Sequence, residues 1–237
     1  HRPAVVFALL AALVSLPAAQ AQEKGDKSDI PAFYEPYDRA LKQFVDEDGM
    51  VDYRGLKANP EDLNAFLENL DGINPDKFEK LSVNVRVAYW INAYNALTLK
   101  AIVDHYPLPR LADGISALRF PDNSIRQIDG VWEDLEWDLM GEQFTLNEIE
   151  HEILRERFNA PRIHLALVCA AKSCPELRRE PYVADRLSDQ LDDQGREFFS
   201  KTDRFRIERD EEAVHISPNF KWFGEDFVRS YSPKRGD

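Results

Sequence analysis

The sequence predicts an α+β fold: a single domain in which a long buried helix packs on a central mixed or antiparallel sheet. Three observations carry this expectation. Residues 83–106 are apolar almost all round, which marks a helix covered on most sides. RIHLALVC (162–169) is a short, nearly all-apolar run, the pattern of a strand with both faces covered. Helical and strand-like segments are interspersed without strict βαβ alternation. The chain has 237 residues, 43% hydrophobic and 31% charged, which is enough apolar matter for one large core.

In chain order, Arg2 precedes an apolar run from Ala4 to Leu16, and Pro17 breaks that run. Ala19-Gln20-Ala21 then offers the small-x-small pattern of a signal-peptidase site. This predicts a secretory signal peptide over 1–21, too short to span a bilayer comfortably, and a periplasmic or secreted mature protein. Residues 22–31 are polar and read as a flexible segment. The globular domain is expected over 32–232, with 233–237 a tail. Lys and Arg number 30 against 43 Asp and Glu, a formal charge of −13. Such a surface repels phosphate backbones and anionic lipid, so the expectation is no nucleic-acid partner and no membrane contact once the leader is cleaved.

Phe33 to Val45 has helical spacing and stops at DEDG (46–49), with VDY (51–53) a short strand. The acidic cluster departs from a calcium loop, because from Asp46 the glycine falls at position 4 and Met50 at position 5; it reads as a turn. Asn59-Pro60 opens a helix with Leu63, Phe66, Leu67 and Leu70 on one face. In the long helix, Asn92 and Asn95 lie three apart and share a face. They either fasten neighbouring backbone or line a site. Residues 132–139 and 142–146 read as strands about a Met140-Gly141 turn. TLNE (145–148) is a capping box that opens the helix LNEIEHEILRERF. Residues 182–201 form an acidic amphipathic helix. Phe205-Ile207 and Val214-Ile216 form a hairpin, and SPNFKWFGEDF (217–227) closes the domain as a helix.

The chemistry gathers in CAAKSCPEL (169–177). Ser173-Cys174-Pro175-Glu176 reads as a second capping box, placing Cys174 in the first turn of a helix, where the dipole favours a thiolate. Lys172, Arg178 and Arg179 add positive charge. Cys169 ends the buried strand. A disulfide between the two would close a short loop and stabilise by only about 2 kcal/mol in the chain-entropy model. Functional thiol, structural bridge and inert thiols all stay open. A thiol enzyme needs a base, and His151, beside the inward-facing Glu150, is the candidate. His164 lies five residues before Cys169, on the opposite face of a regular strand. HEILR (151–155) has Arg155 where a zinc helix needs its second histidine, so no metal and no cofactor is expected.

YWINAYNALTLKAIV (89–103), FTLNEIEHEILR (144–155), PRIHLALVCAAKSCPEL (161–177) and SPNFKWFGEDF (217–227) together resemble the family named domain of unknown function five-four-seven, over about 33–230. The resemblance marks Asn92, Asn95, Glu150, His151, His164, Cys169, Ser173, Cys174, Pro175, Trp222, Asp226 and Phe227. It implies no activity. The shape it implies is similar to papain-like or transglutaminase-like thiol enzymes, although the long helix here carries Asn92 rather than a cysteine.

Three functional readings follow. In the first, Cys174 or Cys169 attacks an acyl or disulfide centre, His151 acts as base and Glu150 orients it. In the second, the protein binds a small thiol or peptide such as glutathione, held by Asn92, Asn95, His164, Lys172 and Ser173. In the third, it is an interaction protein with a structural Cys169–Cys174 bridge.

Overall fold

The computed structural model describes residues 31–108, 124–158, 160–170 and 174–231. The expected leader, the segment 22–30, the tail, Lys172 and Ser173 lie outside the described residues. Short helices come first: α1 (Glu35–Phe44), α2 (Tyr53–Ala58), α3 (Glu61–Asp71) and α4 (Pro75–Phe78). The long helix α5 (Val83–His105) starts where Ser82 Oγ accepts from the Val85 amide. From Val87 to Val103 every residue except Lys100 is buried. α5 is the axis of the core, with α2, α3 and the later helix Glu148–Arg157 packed on it. Tyr37 of α1 stacks on Phe66 of α3 at 4.5 Å between ring centroids, joining the first helices to the same core.

The class is α+β, with the long buried helix in place. The central sheet is the correction. The described strands form two separate antiparallel pairs, β1 (Glu136–Leu139) with β2 (Glu142–Thr145) and β3 (Phe205–Glu208) with β4 (Ala213–Ile216). The first turns at Met140 and Gly141, both at positive φ (56° and 78°), the geometry a two-residue hairpin requires.

The segment expected as the buried strand instead begins with a 3-10 turn, Pro161–Leu165, and continues as unpaired chain to Cys169. Proline fits the first helical position, where its missing N–H is not needed. What replaces the strand ladder is a side chain. Asn95 on α5 donates from Nδ2 to the Ala166 carbonyl (3.0 Å), and its Oδ1 accepts from the Val168 amide (3.0 Å). Asn92 treats Tyr182 in the same way, Nδ2 to the carbonyl at 2.7 Å and Oδ1 from the amide at 2.9 Å. A helix thus does the work of a neighbouring strand, satisfying backbone groups that cannot be left bare in a core. Asn92 and Asn95 fasten backbone and are not free to hold a ligand.

Two further expectations change. VDY makes only the single bridge Val45↔Val51, because Asp52 caps α2 by accepting from the Gly55 amide at 2.9 Å. Residues 174–183 form no helix, so Cys174 gains no helix dipole. Glu176, the expected capping partner, is instead held by Arg204 and by Lys201 at 2.7 Å. The DEDG cluster is a turn, with Asp46 Oδ1 accepting from the amides of Asp48 and Met50.

The last two helices among the described residues are α6 (Leu187–Ser200) and α7 (Asn219–Tyr231). Both pack on the 3-10 turn and fix its position. No helix among the described residues is long and apolar enough to cross a membrane.

Candidate functional site

The TLNE capping box forms as the sequence expects: the Thr145 amide donates to Glu148 Oε2 (2.7 Å) and the Glu148 amide donates to Thr145 Oγ1 (3.1 Å). The helix it opens is wound as a π-helix over Glu148–Arg157. Its wider turn rotates less per residue than an α-helix. Glu150 and His151, about 100° apart on an α-helical wheel, therefore both line one cleft, while Ile149, Ile153 and Leu154 stay in the core. π-turns of this kind gather at functional sites.

The cleft encloses about 390 Å³. Trp132, Trp222 and Phe223 supply aromatic wall; His164, Cys169 and Cys174 supply chemistry. The two cysteines are joined in a disulfide, their Cα atoms 6.1 Å apart, and no cysteine is free. The expectation of a resting thiolate nucleophile is therefore replaced by a bridge. Cys174 is buried and Cys169 is half-buried, so Cys169 is the more accessible of the pair.

For His164, strand geometry argues only against a direct pair with Cys169. The 3-10 turn brings its ring into the same cleft as Cys169. The side chain is 1% exposed, and its ring stacks on Phe223 at 3.8 Å with planes 10° apart. Its Nε2 lies 2.9 Å from Asp226 Oδ2, and Arg155 clamps the same carboxylate at 2.6 and 3.1 Å. The Arg155 guanidinium holds Asp226 below the usual carboxylate range, so Asp226 is charged and Nε2 carries the proton it donates. Nδ1 is then a lone pair. It is buried, has no hydrogen-bond partner, and faces Glu150 Oε1 at 3.9 Å. On the other side, Tyr94 of α5 donates its hydroxyl to Glu150 Oε2 at 3.0 Å. Burial raises the Glu150 carboxyl above its ordinary value, against the pull of His151, Tyr94 and Arg155. Burial pushes His164 down to about 4.

These opposite shifts set a sign. The unfolded imidazole protonates near 6.5 and the folded one near 4, so between those values the unfolded chain binds more protons, and stability falls on acidification. Glu150 contributes the reverse: stability complete below 4.5 and lost as pH rises through its raised folded value. Removing that opposition with Glu150→Gln should steepen the acid loss between pH 6.5 and 4.5, read by urea denaturation at each pH. A variant curve no steeper than the parent's would contradict this balance.

Glu150, His151 and both cysteines are legible in the sequence as site residues, whereas Arg155, Tyr94 and Phe223 are not. Asp226 entered only through the family resemblance. A carboxylate between Phe223 and Phe227 on an aromatic helix was the available signal. A larger, more open groove of about 680 Å³ is lined by Asp38, Lys42, Arg178, Glu180 and Asp193. Its charges pair with one another, as in Arg178–Glu180 at 2.7 Å and Lys42–Asp38 at 2.6 Å. The shifts of Arg178 and Glu180 keep both groups charged, which is the signature of a structural ion-pair network. Among the described residues, Glu208, Glu211 and His215 could converge on a cation, but they are on the β3–β4 hairpin, and Glu208 is already bound by Arg206 and His215.

No curated protein and no solved structure matches the chain. The expected kinship with papain-like and transglutaminase-like enzymes thus has no structural neighbour behind it, and the half-buried cysteine is on a loop rather than on the long helix. One comparison does match, and it spans the stretch that builds α5, the first hairpin, the π-helix and the disulfide. Over residues 78–199, more than half of its length, this chain belongs to the family described as "Protein of unknown function, DUF547".

Proposed function

We propose that this protein carries out thiol–disulfide chemistry on a small thiol or short peptide, of which glutathione is the simplest probe. The observation that carries the reading is that Cys169–Cys174 forms part of a cleft wall beside two imidazoles and a carboxyl, with Cys169 half-buried, rather than lying in the core. A ligand thiolate attacks Cys169 Sγ. The new ligand–Cys169 bond forms, the Cys169–Cys174 bond breaks, and the electron pair leaves on Cys174 Sγ. Attack by that thiolate on the mixed disulfide reverses the step. Trp132, Trp222 and Phe223 give an organic ligand apolar cover.

The signal-peptide reading of 1–21 fits this chemistry, since a disulfide persists in an oxidising, exported compartment. Export is part of the proposal: the mature chain should begin at Gln22, and N-terminal sequencing that finds the leader retained would remove it. For the site itself, the test is intact mass spectrometry of folded Cys174→Ser after incubation with oxidised glutathione. The expected result is one glutathione adduct on Cys169, removed by dithiothreitol. An adduct that forms only in urea would favour a purely structural bridge and overturn the proposal.

A further inference from the structure

We propose that Glu150 is the proton donor and acceptor of this cleft, and that His164, Asp226 and Arg155 are positioning residues that leave its proton available; this rests on the thiol–disulfide reading above. The geometry is asymmetric. One buried imidazole has a carboxylate on each side, and the two carboxylates have opposite surroundings. Asp226 is tied to Arg155 and must stay charged. It fixes the His164 proton on Nε2 and turns the Nδ1 lone pair toward Glu150. A lone pair facing a carboxylate anion is repelled, whereas one facing a carboxylic acid is favoured. Tyr94 already donates to Oε2, so the acid's proton belongs on Oε1. At 3.9 Å that proton is too far from Nδ1 to be held by it, yet it is stabilised by the facing lone pair. The Phe223 stack prevents the ring from turning away.

The proposed reaction needs such a proton. When an incoming thiolate opens the bridge, the electron pair left on Cys174 Sγ makes a thiolate, which is a proton acceptor. The Glu150 O–H bond breaks, an S–H bond forms, and Glu150 is left as carboxylate; both groups line the same cleft. The incoming thiol has lost its own proton to solvent, and Glu150 recovers one from solvent. The net change is one thiol consumed and one formed. Burial raises the Glu150 carboxyl, opposed by His151 and Arg155 from its own helix and by Tyr94 from α5, and His164 from the 3-10 turn faces it at 3.9 Å. Behind His164 stands Asp226 from α7, and Arg126 and Glu133 complete the charged lining of the cleft.

The test is the rate of bridge opening in the folded protein by dithiothreitol, measured against pH for the parent, Glu150→Gln, Glu150→Asp and Asp226→Asn, with carbon NMR titration of the Glu150 carboxyl. Glu150→Gln should open about 100-fold more slowly and lose the limb of the pH profile that follows the carboxyl. Glu150→Asp should recover part of the rate. Asp226→Asn should move that limb together with the Glu150 titration, a coupled shift that a structural role would not produce. A parent bridge that stays closed while folded sinks the thiol reading and, with it, the proton's acceptor. A bridge that opens readily, with Glu150→Gln as fast as the parent, sinks the donor role alone, as does a Glu150 carboxyl that titrates at its ordinary value.

Discussion

Asp226→Ala is expected to destabilise the fold by about 3 kcal/mol, the lower end of the cost of breaking a buried ion pair. The loss is uneven across its partners. The Arg155 side chain is 34% exposed and recovers water when its clamp is removed. His164 cannot, because its side chain is 1% exposed and Nε2–H would have no acceptor. Most of the cost therefore falls on the imidazole. Asp226→Asn keeps an oxygen for Nε2 and should cost less than Asp226→Ala. Urea denaturation of the two variants checks this order. Equal losses would mean that the charge on Asp226, not its acceptor oxygen, is what the fold requires.

Asn95→Leu should cost about 2–6 kcal/mol. It strands two buried backbone groups, the Ala166 carbonyl and the Val168 amide, each at about 1–3 kcal/mol. The shape of the residue is roughly kept, so the loss isolates hydrogen bonding from packing. The effect should also be local: the chain from 166 to 169 leads directly to Cys169, and amide exchange at Val168 should accelerate before that of the α5 interior. Denaturation combined with hydrogen exchange reads both effects. A loss below 1 kcal/mol would show that the segment finds other partners and that α5 is not its clamp.

What the sequence made legible was local. α5 could be read because all but one of its residues from Val87 to Val103 are buried, leaving a nearly continuous apolar pattern. The first hairpin followed from Met140-Gly141, and the π-helix start from TLNE, because turn and cap chemistry act within four residues. What could not be read was decided at a distance. RIHLALVC has strand composition, but Asn95, more than 70 residues away, supplies the partners that a strand would need. SCPE has a capping pattern, but Arg204 and Lys201 take its glutamate from beyond α6. The same limits apply to the site. Glu150, His151 and the cysteines stand out as anomalies in their own segments. The approach of His164 to Cys169 is not legible, because counting along a strand puts the two on opposite faces and that strand does not form. The Asp226 partnership spans 62 residues and carries no local signature.

Thiol–disulfide chemistry at this site requires that Cys169–Cys174 be open to attack while the protein is folded. The most direct measurement is the rate of bridge opening by dithiothreitol at rising urea concentrations, all held below the unfolding transition. The expected rate is already finite in buffer and nearly flat with urea, since the attacked sulfur is reached through the cleft. A rate that climbs steeply from the lowest urea concentrations, in step with global unfolding, would mean that thiols enter only when the fold comes apart, and would contradict the thiol–disulfide reading.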